Sequence, residues 1–205
     1  MQASRQHRRA TEDNHTTAFS PMISQQSQRL LRKLTGGDRR SVGRANEVVA
    51  EVLHTPSLFD VLFDGLKNDD RLVKMRAADA LEKVTAKQPE WLKPYKKRLL
   101  RLSAAADQQE VRWHMAQMLP RLALTPVERG EAARVLKGYL NDASSIVRTC
   151  ALQALAELSD DDGNLREEVV RLLRSATRTG SPAMKSRARR LLERLGANPR
   201  LTRLA

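Results

Sequence analysis

The stretch VRTCALQALAEL at residues 147–158 determines the fold. Its apolar residues stand at the first, fifth, eighth, ninth and twelfth positions, which form one stripe on a helix of 3.6 residues per turn. A similar twelve-residue phrase begins at Val73, Val111 and Met184, so successive phrases start 38, 36 and 37 residues apart. A repeat of this period predicts an array of helical units that share one continuous core.

Each phrase follows a shorter amphipathic pattern and a turn, and a weaker copy of this arrangement precedes the phrase at Val73. The sequence therefore predicts an all-α fold of about five helix pairs over residues 22–195. Residues 1–21 have almost no large apolar side chains and are predicted to be a disordered N-terminal extension. An alternative is that translation starts at Met22. Residues 196–205 are predicted to form a C-terminal tail.

Several helix boundaries have clear local signals. Thr125 and Glu128 flank a proline as in a capping box, and Thr55 precedes another proline at a predicted N-cap. Pro120 should end or kink its helix. The acidic turn at residues 160–164 is too short for an EF-hand and is predicted to be a helix cap.

The charge balance is strongly basic. The chain has 37 Lys or Arg and 24 Asp or Glu, a formal charge of +13. Residues 166–205 contain eleven of these basic residues and three acidic ones. This composition suits an acidic protein surface or a nucleic acid, and the alternative is a set of solvated helix faces. No apolar run reaches membrane-spanning length and no signal peptide is evident, which predicts a cytoplasmic protein without a membrane partner.

Few residues are of a type that could act in catalysis or metal binding. Cys150 is the sole cysteine, so no internal disulfide is possible, and it stands beside the apolar stripe without a histidine placed for catalysis. We therefore expect a buried or half-buried structural cysteine. No metal-ligand spacing, phosphate loop or Ser-His-Asp arrangement is visible. The sequence predicts no enzyme, no cofactor and no metal site.

The phrase and its context resemble HEAT repeats. Two helices per unit of about 37 residues, Asp in the turn, and Val-Arg or Val-Lys before Ala and Leu are similar to the short bacterial kind called HEAT-like or bilin-lyase-type repeats. The resemblance covers about residues 22–195. It implies an α-α superhelix, a right-handed solenoid, whose second helices line a concave surface where partners bind. This fold hosts scaffolds, inhibitors, chaperones and a few enzymes, so it specifies no single function.

Charged residues recur at the start of the phrases. Acidic residues in the turns are expected to cap the second helices and to pair with the basic residue at the second position of a phrase. The acidic residues are Asp70, Asp107 and Asp142, and the basic residues are Lys74, Arg112, Arg148 and Lys185. These side chains are predicted to form a structural ladder, not a ligand site.

The third, seventh and tenth positions of each phrase lie farthest from the apolar stripe and differ among the copies. They are the predicted partner-binding positions on the concave face. The candidate residues are Met75, Asp79, Trp113, Gln117, Gln153 and Arg190. A large aromatic residue such as Trp113 is a typical interface anchor, and the alternative is that it folds back over a neighbouring helix.

Three functions are compatible with these features. The first is a non-enzymatic scaffold or adaptor that binds a protein partner on the concave face. The second is nucleic-acid binding through phosphate contacts, which would weaken steeply with salt. The candidate polyanion-binding residues are Lys93, Lys96, Lys97, Arg98, Arg101, Arg187, Arg189 and Arg194, with Arg190 as a further member.

The third is a divergent DNA glycosylase. HEAT-like glycosylases place a Trp and, one turn later, an Asp on a concave helix, whereas this chain has Gln117 one turn after Trp113. A neutral amide cannot stabilise a developing cationic sugar as a carboxylate does. Bilin-lyase activity, implied only by the name of the repeat, has no supporting residues.

Overall fold

The computed structural model describes residues 21–37, 41 and 43–197, with side chains from residue 25 onward. Within these ranges the regular structure is helical and contains no strand, which confirms the predicted all-α class. The α-helices are α1 (Pro21–Arg32), α2 (Ala45–His54), α3 (Phe59–Asp64), α4 (Arg71–Lys87), α5 (Lys96–Ala105), α6 (Gln109–Met118), α7 (Pro126–Tyr139), α8 (Ser145–Leu158), α9 (Gly163–Thr179) and α10 (Pro182–Arg194). Shorter 3₁₀ turns span Pro56–Leu58, Gly65–Lys67, Pro89–Tyr95 and Leu119–Arg121.

The predicted boundaries agree closely with these elements. The first helix begins at Pro21, one residue before the predicted start. Pro120 ends α6 as predicted, because the α-helix stops at Met118 and continues as a 3₁₀ turn. The predictions for residues 1–20 and 198–205 concern positions outside the described ranges.

The repeat phrases lie in the second helix of each pair, α4, α6, α8 and α10. Their apolar stripes are buried, including Val147, Ala151 and Leu155 of α8. These four helices and α2 pack against one another in chain order, and we call this series the second-helix row. Helices α3, α5, α7 and α9 each pack against the second helix that follows them. The core thus runs from one helix pair to the next.

Local capping explains where several helices begin. Thr125 Oγ1 accepts a hydrogen bond from the Glu128 amide at 3.3 Å, and the Glu128 carboxylate accepts one from the Thr125 amide at 2.9 Å. This confirms the capping box of α7. Asp162 accepts a bond from the Leu165 amide, so the acidic turn caps α9 as predicted. Thr55 occupies the predicted N-cap position before Pro56, at the start of a 3₁₀ turn, but its side chain makes no capping bond.

The charged ladder is present with partly different partners. Asp70 caps α4 through the backbone amide two residues later. Asp107 accepts from Arg71 Nη1 at 2.8 Å, and Asp142 accepts from Arg112 Nη1 at 2.6 Å. Both pairs join a turn to the preceding second helix, so they link neighbouring units. Among the described residues, the other expected basic partners make no ion pair: Lys74, Arg148 and Lys185.

A buried guanidinium joins the first helix pair to the second. Arg76 on α4 is 1% exposed and donates to Leu34 O at 3.0 Å, Gly36 O at 2.6 Å and Ser41 O at 3.1 Å. At Gly43, with φ of +53°, an added Cβ would lie 2.8 Å from Arg76 Cζ. Glycine is required there both for the left-handed backbone and for the approach of the arginine.

Candidate functional site

The candidate partner-binding positions occupy the side of the second-helix row that faces away from the core. Met75, Asp79, Gln117 and Gln153 are half-buried, and Arg190 is exposed. The tenth position is less regular than predicted, because Ala156 is fully buried. Most of these candidate side chains are therefore partly covered by their neighbours.

Trp113 is one of these partly covered residues. It is half-buried and packs against the hydrophobic core, with its ring centroid 5.5 Å from that of His114. The sequence left two alternatives, an exposed interface anchor and a ring that folds back over a neighbouring helix. The contact with the core agrees better with the second, and only part of the indole is accessible to a partner.

Adjacent second helices are joined by polar contacts on this surface. Arg187 on α10 donates through Nη1 to Gln153 Oε1 on α8 at 2.7 Å. Arg121, at the end of α6, forms an ion pair with Glu82 on α4 and donates to Thr85 Oγ1 at 2.8 Å. The fourth and eleventh positions of a phrase therefore face the preceding unit.

A pocket of about 400 Å³ opens where α6, the following 3₁₀ turn, α8 and α10 meet. We call it the second-helix pocket. Its lining residues are Ala116, Gln117, Arg121, Thr149, Cys150, Gln153, Ala154, Glu157 and Arg187. The pocket brings together two predicted partner-binding residues, Gln117 and Gln153. It also contains Arg187, which the sequence assigned to a polyanion site on a separate surface.

Hydrogen bonds hold most of the polar groups of this pocket. Gln153 accepts from Arg187 and donates through Nε2 to Glu157 Oε1 at 2.5 Å. Gln117 Nε2 donates to Trp113 O at 3.2 Å, within its own helix. Within the described ranges, Arg187 Nε is buried without a hydrogen-bond partner. The pocket thus combines a preformed polar network with a guanidinium group that is not fully satisfied.

The chemistry of Cys150 is that of a structural thiol. The side chain is half-buried, as predicted, and burial raises its pKa. The charge of Arg187 opposes this shift and that of Glu82 adds to it, but burial is the largest cause. The thiol is therefore protonated at neutral pH, which does not suit a nucleophile.

His114, one helix away, is also neutral. Burial lowers its pKa to about 4, although the charges of Asp79 and Glu82 act in the opposite direction. Its Nε2 lies 3.9 Å from Asp79 Oδ1, too far for a hydrogen bond, and its Nδ1 is buried without a partner among the described residues. No proton-transfer pair is formed at this point of the surface.

The predicted polyanion-binding residues fall into two groups on different elements. Lys96 pairs with Glu128 at 2.6 Å, Arg98 pairs with Asp64, and Arg194 pairs with Asp160 at 2.8 Å. These cations serve contacts between neighbouring helix pairs. The remaining exposed members make no ion pair with described residues: Lys93, Lys97, Arg101, Arg189 and Arg190. Three of the predicted polyanion-binding residues are therefore already held in ion pairs within the protein.

Comparison of the chain with models of protein families, with curated proteins and with solved structures found no match. In the described part of the chain, no group of three or more His, Cys, Asp or Glu residues is arranged to hold a metal ion. Of the helices that the structure describes, none is both long enough and apolar enough to cross a membrane.

Proposed function

We propose that this chain is a non-enzymatic scaffold that binds a protein partner on its second-helix row. The observation that carries the proposal is the second-helix pocket, where Gln117 and Gln153 from neighbouring units line a single recess. Both occupy the seventh position of a phrase, where the copies differ in sequence. Variable polar residues on a regular framework are typical of binding surfaces in repeat proteins.

The architecture proposed with this function is a right-handed solenoid of about five HEAT-like helix pairs. The support is the phrase period of 36 to 38 residues and the packing of the second helices in chain order. In such an array the second helices form the concave side. A partner lying along that side contacts several units at once, so its affinity is the sum of many modest contacts.

The character of the surface favours a polypeptide over a small ligand. Carboxylates, guanidinium groups and amides alternate along it, as in Glu82, Arg121 and Gln153. Several are already paired with one another, which fixes their positions before binding. A polypeptide offers matching donors and acceptors along its length, and the overall charge of +13 favours encounter with an acidic partner.

Catalytic alternatives have less support from the same residues. The protonated Cys150 thiol has no histidine in the pocket to activate it. The glycosylase alternative would require a carboxylate one turn after Trp113, and Gln117 at that place uses its amide to bind the Trp113 carbonyl oxygen. We therefore favour binding without chemistry.

The test compares one substitution at two places on α6. Gln117→Arg adds a long cation to the second-helix pocket, whereas Gln109→Arg makes the same change at an exposed position at the start of the helix. Tagged protein is expressed in the native host, and retained partners are quantified by mass spectrometry. We expect Gln117→Arg to remove at least one partner that wild type and Gln109→Arg retain.

Thermal unfolding of both variants controls for folding. If both variants retain the same partners as wild type, in the same amounts, the second-helix pocket is not the binding surface. If both lose them equally, the effect comes from the added charge and the proposal also fails.

A further inference from the structure

The last helix pair carries most of the unbalanced charge of the described chain. Residues 163–197 contain nine Lys or Arg and three Glu, a formal charge of +6. Arg166, Arg187 and Arg194 are used internally, on Leu195 O, Gln153 and Asp160. The other six have no hydrogen-bond or ion-pair partner among the described residues, and one of them, Arg190, is a candidate partner-binding residue of the second-helix row. We call the remaining five the terminal basic face: Arg171, Arg174, Arg178, Lys185 and Arg189.

Three of these cations share one side of α9. Arg171, Arg174 and Arg178 are spaced i, i+3, i+7, and all are exposed. They lie opposite the buried stripe of Val169 and Leu173. At 1.5 Å per residue, they extend over about 10 Å of the helix. They belong to the basic segment 166–205 but are not among the candidate polyanion-binding residues predicted from the sequence.

The other two lie on the side of α10 that faces away from α8. The fourth and eleventh positions of the phrase contact the preceding unit, as Arg187 and Arg194 do. The second position faces the following unit, as Arg112 does when it reaches Asp142. The sixth position lies on that same side, about 40° around the helix.

The sixth position changes character in the last described unit. It is a buried residue in the earlier second helices, Ala78, Ala116 and Leu152. In α10 it is Arg189, which is exposed. α10 thus carries a charge where the earlier second helices carry an apolar residue. Together with Lys185 at the second position, Arg189 places two cations on the side of α10 that faces away from α8.

We propose that the terminal basic face is a binding site for the phosphate backbone of duplex nucleic acid. Along one strand of a duplex the phosphates advance about 3.4 Å per nucleotide, so the α9 arginines extend over about three phosphates. Arginine also presents a planar pair of donors that fits a phosphate group. The site shares no residue with the lining of the second-helix pocket, so both can be occupied at once.

The absence of exposed large apolar side chains on α9 and α10, within the described ranges, favours nucleic acid over an anionic lipid surface. Among the described residues, the large apolar side chains that are most exposed are Val127 and Ile146, and neither lies on α9 or α10. The terminal basic face therefore offers nothing to insert between lipid tails. The five cations have no ion-pair partner within the described ranges, so phosphate contacts need not compete with such a pair.

The experiment measures binding of a fluorescent 20-base-pair DNA duplex to the whole chain by anisotropy, between 50 and 200 mM NaCl. Five phosphate contacts predict a loss of affinity of about 500-fold across this range, at ~0.9 log units per log unit of salt for each contact. The triple variant Arg171→Gln, Arg174→Gln, Arg178→Gln leaves two contacts, for which the predicted loss is about 12-fold. Its affinity at 50 mM should be at least tenfold weaker than that of wild type.

The matched control is Arg29→Gln, Lys87→Gln, Arg134→Gln, which removes the same charge from exposed positions on α1, α4 and α7 that belong to no candidate site. It should keep the wild-type affinity and salt dependence. Equal effects of the two triple variants would show that affinity depends on net charge and not on the terminal basic face, and would overturn the proposal. So would absence of salt-dependent binding by wild type, or stronger binding to phosphatidylserine vesicles than to the duplex. Unfolding curves confirm that both variants fold.

Discussion

Acid should destabilise this protein through one buried histidine on the second-helix row. His114 is 9% exposed, and its Nδ1 has no hydrogen-bond partner in the described part of the chain. Asp79 is 3.9 Å from Nε2 and favours the protonated ring, but burial outweighs it and lowers the pKa to about 4. The folded state therefore keeps the ring neutral at pH values where the unfolded chain takes up a proton.

The size of the effect follows from the two pKa values. His114 titrates at about 4 when folded, against 6.5 for an unperturbed histidine. Above pH ~6.5 the ring is neutral in both states and does not lower the free energy of unfolding. As the pH falls from ~6.5 toward ~4, only the unfolded chain binds the proton, so the free energy of unfolding decreases. Between pH 7 and pH 5 the loss is about 2 kcal/mol, a large part of the stability of a typical domain.

Urea unfolding at pH 7 and pH 5 measures this loss. The variant His114→Leu has no proton to gain, so its loss between the two pH values should be about 2 kcal/mol smaller than that of wild type. His54→Leu, at an exposed position at the end of α2, is the matched control and should behave like wild type. If His114→Leu loses as much stability as wild type, the histidine is not held neutral by burial and the reasoning is wrong.

Two further changes test how neighbouring helices are joined. Arg76→Met should cost about 3 kcal/mol in urea unfolding, because it removes charge-assisted bonds and leaves the buried Leu34 carbonyl unsatisfied; a loss below ~0.5 kcal/mol would contradict this role. Gly65→Ala should cost about 1 to 2 kcal/mol, since the new Cβ would lie 2.9 Å from Ala77 Cβ. Gly130→Ala, where an added Cβ meets nothing within 4 Å, should be neutral or stabilising, and equal losses at the two glycines would refute the packing argument.

The helices were predictable because their signals are local. The apolar stripe of each phrase needs only the 3.6-residue period, and the capping box at Thr125 needs only four residues. The same holds for Pro120, which stops α6 through its own ring and missing amide hydrogen. Each of these features is contained within one turn or one helix.

Features that depend on neighbouring units were harder to predict. The buried Arg76 is satisfied by backbone carbonyl groups about forty residues earlier, which no side-chain pattern reveals. Arg121 and Arg187 enter the second-helix surface only because adjacent second helices pack side by side. The fourth position of the phrase did indicate contacts between units. The residues at this position are not aliphatic in any of the four copies: Arg76, His114, Cys150 and Arg187.

The central claim is that a partner lies along the second-helix row. A photo-activated cross-linking amino acid at Gln153, in the second-helix pocket, tests it in living cells of the native host. The same probe at Glu131, exposed on α7, is the control. The account predicts a cross-linked partner of defined mass from position 153 and none from position 131. No adduct from position 153, or the same adducts from both positions, would contradict it.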